Sequence, residues 1–444
     1  MKIAVVGLGK IGLPLAAQFA RKGHKVGGVE INEQVVELIN RGVAPFPGEA
    51  HLQECLSEAV GAGNLRATCD YSNAIPHADV VVVVVPLFVD NLGDPDFGWL
   101  DAATESIARH LTNDTLIIYE TTLPVGTTRS RWKPALEAGS GLREGPDFDL
   151  VFSPERVLTG RIFADLRKYP KLIGGLTDEG AKKAAQFYNA VLDFDDRPDL
   201  DRGNGVWDLG SAEACEMAKL AETTYRDVNI GLANQFALFA SAACIDVFRV
   251  IEAANSQPYS HIHRPGIAVG GHCIPVYPRL YLHNDPSATI VRAAREANAE
   301  MPARMVDMLG VAHGDLTFAR VLVLGAGYRG GVQETAFSGV FPTVQALERR
   351  GAHPLVHDPL LSADELALLG LTAWQKGASI DAAVVHTDHI QYRSLAASDL
   401  PGVRTILDGR NVLDHTLWPG VTIITLGQGG TRVATVGNER GPAA

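Results

Sequence analysis

A glycine-rich turn after the first apolar run constrains the fold of this chain more than any other feature. Residues 3–6 lead into Gly7-Leu8-Gly9-Lys10-Ile11-Gly12, and an apolar helical pattern follows. The next strand-like run, residues 25–31, carries Glu30 near its end. A strand, a glycine turn, a helix and an acid at the end of the second strand form the dinucleotide-binding fingerprint of a Rossmann domain. The turn therefore predicts a parallel, doubly wound α/β domain at the start of the chain.

The three glycines of the turn have different structural roles in this interpretation. Gly7 permits the tight turn, Gly9 lets a pyrophosphate approach the backbone, and Gly12 lets the helix pack closely on the strand. The N-terminus of the helix then faces the phosphates. Glu30 would accept hydrogen bonds from the adenosine ribose and repel a 2′-phosphate, which favours NAD over NADP. The alternative is a Rossmann-like domain that binds no dinucleotide.

The composition of the chain limits the remaining classes of protein. Its 444 residues suffice for about three domains, and 46% of them are apolar, so sizeable cores are expected. A net charge of −12 without a long basic run argues against nucleic acid as a partner. Five cysteines without CxxC spacing argue against a disulfide framework or a metal site. The start of the chain has no signal-peptide pattern, and the longest apolar run, residues 78–89, is too short to span a bilayer. We therefore expect a cytoplasmic protein without a membrane partner.

Strand-like and helical patterns alternate in two parts of the chain. They predict two Rossmann-like doubly wound α/β domains joined by a long central helical segment. Predicted strands of the first part are residues 2–6, 25–31, 80–85, 115–119 and 149–152. A linker is predicted at 195–205, and helical spacing then continues from residue 211 to about 254. The second pattern starts near residue 318, with further strands at 354–357, 382–386, 405–407 and 421–425. The resulting domains are 1–200, 201–310 and 311–430, followed by a flexible tail at 431–444.

One cysteine follows a pair of glycines, in Val269-Gly270-Gly271-His272-Cys273-Ile274-Pro275-Val276, which we call the Cys273 segment. Glycines allow positive φ and the close approach of a ligand, so Cys273 can present its sulfur to a bound substrate. The alternative is a small buried hydrophobe, the commoner state of a lone cysteine. A second glycine turn, Gly325-Ala326-Gly327, lacks a third glycine at the right spacing. It suits either a nucleotide diphosphate or a purely structural turn.

Several segments between residues 2 and 413 resemble, in sequence and in order along the chain, those of the nucleotide-sugar 6-dehydrogenases. This is the family of the UDP-glucose, UDP-N-acetylhexosamine and GDP-mannose dehydrogenases. The segments are the turn at 7–12, Glu120-Thr121-Thr122-Leu123-Pro124-Val125-Gly126-Thr127-Thr128, Ser153-Pro154-Glu155-Arg156-Val157, Lys219 with Tyr225-Arg226-Asp227-Val228-Asn229-Ile230, the Cys273 segment, Tyr328-Arg329 and Asp408-Gly409-Arg410-Asn411. The sequences around Glu155 and Cys273 are more similar to those of the UDP-N-acetylhexosamine branch than to those of the UDP-glucose branch. The resemblance implies oxidation of a C6 alcohol to a carboxylate with two NAD. It also implies an NAD domain, a central dimerisation segment that makes a homodimer, and a carboxy-terminal UDP-sugar domain.

The resemblance also implies roles for single residues. Cys273 is the nucleophile that forms a thiohemiacetal and then a thioester, and Lys219 stabilises the oxyanion. Glu155 is the general base, and Thr122 orients its water. The implied catalytic set is completed by Thr223. The implied cofactor-binding residues are Gly7, Gly9, Lys10, Ile11, Gly12, Glu30, Val85, Pro86 and Thr122. The implied substrate-binding residues are Glu155, Arg156, Val157, Lys219, Arg264, Gly270, Gly271, Tyr328, Arg329 and Arg410.

Plainer alternatives stay open for several of these residues. Lys219 could be a solvated helix lysine, Glu155 an acid at a helix N-terminus, and Thr122 an ordinary turn residue. Arg329 and Arg410 could be surface charges.

The chain departs from the family pattern at five places. Tyr277 stands where the family has aspartate, and Thr223 where it has asparagine. The other three departures are Leu87-Phe88 after Val85-Pro86, Tyr259 in place of an arginine, and Ala336 with Glu334 in a carboxy-terminal Asp-x-Arg-x-Ser pattern. Two alternative functions follow: a two-electron oxidation or another nucleotide-sugar substrate, and a non-catalytic nucleotide-sugar or NAD-binding protein.

Overall fold

A computed structural model describes residues 1–90, 93–429 and 432–433 of the chain. It divides into two compact units, Met1–Glu222 with Arg279–Pro286, and Thr223–Pro278 with Ser287–Ala444. Both units are α/β, as predicted.

The first unit is built on an eight-stranded sheet with the order β10-β9-β8-β7-β4-β1-β2-β3. Its strands are β1 Lys2–Val6, β2 Lys25–Val29, β3 Leu65–Thr68, β4 Val80–Val83, β7 Leu116–Tyr119, β8 Asp149–Phe152, β9 Lys171–Gly175 and β10 Val206–Asp208, and β5 Phe88–Val89 and β6 Pro95–Asp96 form a separate two-stranded sheet. Its helices are α1 Gly12–Arg21, α2 Glu33–Asn40, α3 Leu52–Gly61, α4 Tyr71–Ala74, α5 Gly98–Ala108, α6 Lys133–Ser140, α7 Ile162–Lys168 and α8 Asp178–Val191. All neighbours in the large sheet are parallel except β8 and β9. The prediction of a doubly wound sheet is confirmed.

The central strands of this sheet are apolar because both of their faces are covered. Every residue of β4, β7 and β8 is buried. The sequence of β4 is Val-Val-Val-Val, and that of β7 is Leu-Ile-Ile-Tyr. Fully apolar runs of this kind are typical of parallel sheets with helices on both faces.

The predicted continuous helix from 211 to about 254 is wrong in one respect, because the structure contains two helices, α9 Ala212–Ala242 and α10 Val247–Asn255. Cys244 has a φ of 56° between them, a left-handed conformation that ends a helix. Asp246 then caps the second helix by accepting hydrogen bonds from the N–H groups of Phe248 and Arg249. Two further helices follow, α11 Tyr277–Asn284 and α12 Thr289–His313.

The second unit contains a six-stranded sheet with the order β12-β11-β13-β14-β15-β16. Its strands are β11 Arg320–Leu324, β12 His353–His357, β13 Ala382–Val385, β14 Thr405–Asp408, β15 Thr422–Thr425 and β16 Arg432–Val433, and its remaining helices are α13 Val340–Arg349 and α14 Ala363–Leu368. Only β16 is antiparallel to its neighbour. Of the predicted tail at 431–444, Arg432 and Val433 form β16, and the other residues lie outside the described part of the chain.

Two further observations concern the described residues alone. None of their helices is long and apolar enough to cross a bilayer. They also contain no group of three or more His, Cys, Asp or Glu side chains that could hold a metal ion.

Candidate active site

The carboxyl ends of five neighbouring strands meet at one edge of the first sheet. Backbone hydrogen bonds continue past the strand ends from Gly7 to Val29, from Val84 to Val6, from Glu120 to Val83 and from Ser153 to Tyr119, with N···O distances of 2.8–2.9 Å. This register brings the glycine turn, Val85 and Pro86, residues 120–122 and Glu155 to the same edge. Ligands of open α/β sheets bind outside the carboxyl ends of the strands, so this edge is a candidate active site.

The glycine turn has the shape that its sequence predicts. Gly7 has a φ of 91°, and a Cβ on Gly12 would lie 1.9 Å from the carbonyl oxygen of Gly7. A Cβ on Gly9 would meet no heavy atom within 4 Å. Gly7 and Gly12 are therefore required by the protein's own backbone, whereas Gly9 faces open space at the beginning of α1. Beside it, Lys10 is exposed and Ile11 is the N-cap residue of the helix.

Glu30 holds this turn in place. Its carboxylate accepts hydrogen bonds from the backbone N–H groups of Leu8 and Asn32, both at 3.1 Å. On the other side, the Thr121 hydroxyl donates to the carbonyl of Val85 at 2.6 Å, and Pro86 is exposed beside it. An open Gly9, a helix N-terminus and an acid directly after β2 fit a dinucleotide cofactor.

Glu155 belongs to a buried network of charged groups. Lys171 Nζ lies 2.8 Å from Glu155 Oε2 and 3.1 Å from Glu120 Oε2, and Tyr188 donates to Glu120 Oε1 at 2.5 Å. Burial opposes ionisation of Glu155, but the ammonium of Lys171 outweighs it and holds the pKa of Glu155 below its ordinary value. Burial raises the pKa of Glu120 to about 7, despite the attraction of Lys171.

Lys219 is buried, and its ammonium donates a hydrogen bond to the backbone carbonyl of Glu155 at 2.7 Å. The structure therefore brings these two predicted catalytic residues together and contradicts the alternative of a solvated helix lysine. Thr122 is buried two residues after Glu120. Next to Glu155, the Arg156 guanidinium pairs with Glu222 at 2.9 Å, and the half-buried Val157 packs against the core.

The Cys273 segment lies in the second unit, where its glycines are required by close packing. A Cβ on Gly270 would lie 2.7 Å from the Cβ of Tyr328, and Gly271 has a φ of 90° with the Tyr328 ring 3.1 Å from where its Cβ would be. Cys273 is half-buried rather than part of the core. Its carbonyl accepts a hydrogen bond from the N–H of Tyr277 at 2.9 Å, so Tyr277 takes part in the turn that fixes the cysteine.

Three predicted substrate-binding residues of the second unit have different surroundings. Arg264 is exposed, and Arg329 donates to the Tyr328 hydroxyl at 3.3 Å. The Arg410 guanidinium donates to the backbone carbonyls of His386 at 2.7 Å and Ala268 at 3.3 Å. Arg410 is thus held by the fold, and its contact with a substrate stays a prediction.

The second glycine turn is held, like the first, by an acid that directly follows the neighbouring strand. The buried Asp358 carboxylate accepts hydrogen bonds from the N–H groups of Ala326 at 2.8 Å and Gly327 at 3.0 Å, and from His389 at 3.1 Å. Burial opposes ionisation of Asp358, but these hydrogen bonds outweigh it and place its pKa below the ordinary value. Because Asp358 accepts from two N–H groups of the turn, the turn is satisfied without a phosphate, which favours the structural alternative for residues 325–327.

The predicted catalytic residues are divided between the units: Thr122, Glu155 and Lys219 belong to the first, and Thr223 and Cys273 to the second. Thr223 is fully buried on α9. Sequence reasoning missed Glu120, Lys171 and Tyr188. Only Glu120 carried a signal, as the first residue of the segment that contains Thr122.

Three family models together match most of the chain. They are the NAD binding domain, the central domain and the UDP binding domain of the UDP-glucose/GDP-mannose dehydrogenase family, at residues 1–192, 213–300 and 322–415. The chain belongs to this family. As a family member it is an NAD-dependent oxidoreductase of nucleotide-sugars, which confirms the predicted cofactor and enzyme class.

Relatives of this dehydrogenase share its whole architecture. The UDP-N-acetyl-D-mannosamine dehydrogenase of Pyrococcus horikoshii is 36% identical over 93% of this chain and 96% of its own length. That of Escherichia coli K12 is 31% identical over 88% of this chain and 94% of its own length. A solved structure of UDP-D-ManNAc dehydrogenase from Pyrococcus horikoshii matches with a TM-score of 0.85 and 33% identity, covering 96% of this chain and 99% of that one. These relatives confirm the expected similarity to the UDP-N-acetylhexosamine branch.

Proposed function

We propose that this dehydrogenase oxidises the C6 alcohol of a UDP-N-acetylhexosamine to the carboxylate, in two steps and with two NAD. The observation that carries the proposal is the hydrogen bond from the buried Lys219 ammonium to the backbone carbonyl of Glu155, together with a half-buried cysteine fixed in its own tight turn. A base, a fixed cation and a nucleophile are the groups that such an oxidation requires.

The residues that would hold NAD are those of the glycine turn, Glu30, Val85, Pro86 and Thr122. When bound, NAD supplies the acceptor for the hydride that leaves C6 in each oxidation. Gly9 leaves room for the phosphates at the start of α1, and Glu30 is proposed to accept hydrogen bonds from the ribose hydroxyls.

Glu155 serves as the base in the first oxidation. Its carboxylate removes the proton of the C6 hydroxyl, directly or through a water held by Thr122, as the C–H bond breaks. The buried ammonium of Lys219 stabilises the negative charge on the substrate oxygen, because a fixed cation in a dry site needs no reorganisation.

Cys273 makes the second oxidation possible. Its thiolate adds to the aldehyde carbon, forming a C–S bond and an oxyanion that is protonated to the thiohemiacetal. Loss of a second hydride from that carbon to the second NAD, and of the hydroxyl proton to a base, gives the thioester. Water then breaks the C–S bond, releases the carboxylate and returns the thiol. Thr223 can donate one hydrogen bond to an oxyanion, but Tyr277 cannot act as a carboxylate at neutral pH.

The substrate in the proposal is UDP-N-acetyl-D-mannosamine, the sugar in the names of the relatives above. The UDP binding domain at residues 322–415 is the expected site of the nucleotide. Tyr328, Arg329 and Arg410 are the proposed contacts in that domain, and Arg264, Arg156 and Val157 are proposed to line the sugar.

The test is an NAD-reduction assay with UDP-N-acetylmannosamine, UDP-N-acetylglucosamine, UDP-glucose and GDP-mannose, with the product mass measured. We expect the carboxylate from UDP-N-acetylmannosamine and a loss of turnover of at least about a thousandfold in Cys273→Ala. The matched control is Cys69→Ala, at an exposed cysteine of the first unit, which should retain wild-type activity. An equal loss in both variants would contradict the assignment of the nucleophile.

Tyr277 and Thr223 favour a second candidate, a two-electron oxidation that ends at the aldehyde. The family has an acid and an amide at these positions, so their replacement is expected to affect the steps that follow the first oxidation. A product mass equal to that of the aldehyde would decide for this candidate.

A homodimer is also proposed. Along α9, apolar residues at helical spacing are exposed, namely Tyr225, Leu232, Phe236 and Phe239. Exposed apolar faces of this kind mark protein–protein contacts. Light scattering should give twice the chain mass of 47.4 kDa, and a monomer would contradict the proposal.

A further inference from the structure

Two carboxyl groups share one lysine in the interior of the first unit. Lys171 Nζ bridges Glu120 and Glu155 at 3.1 and 2.8 Å, and all three side chains are buried or nearly so. The groups facing Glu120 come from different elements: Glu155 follows β8, Lys171 begins β9, and Tyr188 on α8 donates to Glu120 while its ring lies 4.8 Å from Lys171 Nζ. Cys215 on α9 is buried near Lys171 and is held in the thiol form, because burial raises its pKa.

Both carboxyl groups contact the same ammonium. Burial and, after it, the negative charge of Glu155 raise the pKa of Glu120 to about 7, whereas the ammonium of Lys171 outweighs burial and holds the pKa of Glu155 below its ordinary value. Of the two groups, Glu120 is therefore the one that carries a proton near neutral pH. With that proton in place, the two carboxyls and Lys171 together carry no net charge.

We propose that Glu120 is a positioning residue for Glu155: the two carboxyl groups share one proton, and Glu155 becomes an effective base when Glu120 releases it. The inference rests on the proposed function, in which Glu155 accepts the proton of the C6 hydroxyl. While Glu120 is protonated, the ammonium of Lys171 compensates the charge of Glu155 alone. Once Glu120 is ionised, two negative charges compete for one ammonium, and the proton affinity of Glu155 rises. The substrate proton then moves from the C6 oxygen to Glu155.

The test is the pH dependence of kcat/KM between pH 5.5 and 9. Because the pKa of Glu120 is about 7, the wild-type value should rise roughly tenfold for each pH unit below 7 and level off above it. Glu120→Gln should lose this rise. Tyr188→Phe should move it to higher pH, because the Tyr188 hydroxyl lowers the pKa of Glu120. The matched control is Glu216→Gln, at a buried carboxyl whose pKa is also about 7, and it should leave the rise in place.

A second readout does not depend on turnover. In the Glu216→Gln background, which removes the other buried carboxyl with a pKa of about 7, infrared difference spectra should show a buried carboxyl C=O band that disappears with a midpoint near pH 7 and is absent when Glu120→Gln is added. Loss of the band in that variant supports the shared proton even if no UDP-sugar is oxidised, an outcome that would refute only the proposed function. A band that persists after Glu120→Gln is added to Glu216→Gln, or a kcat/KM profile that neither Glu120→Gln nor Tyr188→Phe moves, overturns the inference.

Discussion

Glu216 ties the segment after Thr122 to the helix that carries Lys219. Its buried carboxylate on α9 accepts hydrogen bonds from the Gly126 N–H at 2.5 Å, from the Thr128 N–H at 2.9 Å and from the Thr128 hydroxyl at 2.7 Å. Burial nevertheless raises its pKa from 4.5 to about 7. The folded chain therefore binds a proton more tightly at this site than the unfolded chain does, and this part of the stability depends on pH.

The magnitude follows from the two pKa values. The contribution is fully present below pH 4.5 and is lost as pH rises through 7. At about 1.4 kcal/mol for each tenfold change in proton affinity, the total loss is about 3 kcal/mol, of which roughly 2 to 3 kcal/mol falls between pH 5 and 8. Glu216→Gln removes this dependence. It adds a constant cost of about 1 to 3 kcal/mol, because the amide cannot accept from both Gly126 and Thr128.

The assay is urea unfolding of both proteins at pH 5, 6, 7 and 8. The free energy of unfolding of Glu216→Gln, relative to that of the wild type, should rise by roughly 2 to 3 kcal/mol from pH 5 to pH 8. Glu213→Gln, one turn earlier on α9, is the control. A hydrogen bond from Arg129 lowers the pKa of Glu213, so its difference from wild type should have the opposite sign and stay under about 1 kcal/mol at this half-buried, solvent-screened site. A difference between Glu216→Gln and wild type that does not change with pH would refute the reasoning.

Three further predictions test the cofactor turn and the second unit. Gly9→Ala should leave the free energy of unfolding unchanged but weaken NAD binding at least about tenfold in calorimetry, whereas Gly12→Ala should lose about 1 to 3 kcal/mol or more of stability, because its Cβ would meet backbone atoms. Equal losses of stability in the two variants would contradict this prediction. Glu30→Gln should raise the kcat/KM ratio of NADP to NAD by about tenfold, since the repulsion of a 2′-phosphate is removed, and an unchanged ratio would argue against this role. Asp358→Ala should cost about 3 to 5 kcal/mol in urea unfolding, because buried His389 and two N–H groups lose their acceptor; a loss under about 1 kcal/mol would contradict the structural assignment of this turn.

The predicted strands of both sheets were confirmed wherever the chain carries a run of buried β-branched or aliphatic residues. Three strands of the first sheet were missed, and β9 shows why. It contains Gly174 and Gly175, whose missing side chains are required by contacts with Ser211 and Thr177. The residues of such a strand have a low intrinsic β propensity. The strand forms because of its packing in the folded domain, which cannot be recognised in a single sequence.

Those residues of the candidate site that lie in local sequence motifs could be predicted. The glycine turn, Glu155 and Lys219 lie in recognisable segments, and the structure brings the last two together. The bridge from Lys171 to Glu120 and Glu155 could not be predicted, because it depends on the register of β7, β8 and β9. The break at Cys244 was missed for a similar reason, since a left-handed cysteine leaves no pattern in the sequence.

The central claim is that Cys273 carries the substrate through a second oxidation. The most direct measurement is the ratio of NADH formed to UDP-N-acetylmannosamine consumed, taken to completion with the product mass determined on the same sample. The account predicts two NADH for each sugar and the mass of the carboxylate. One NADH for each sugar, with the mass of the aldehyde, would contradict it.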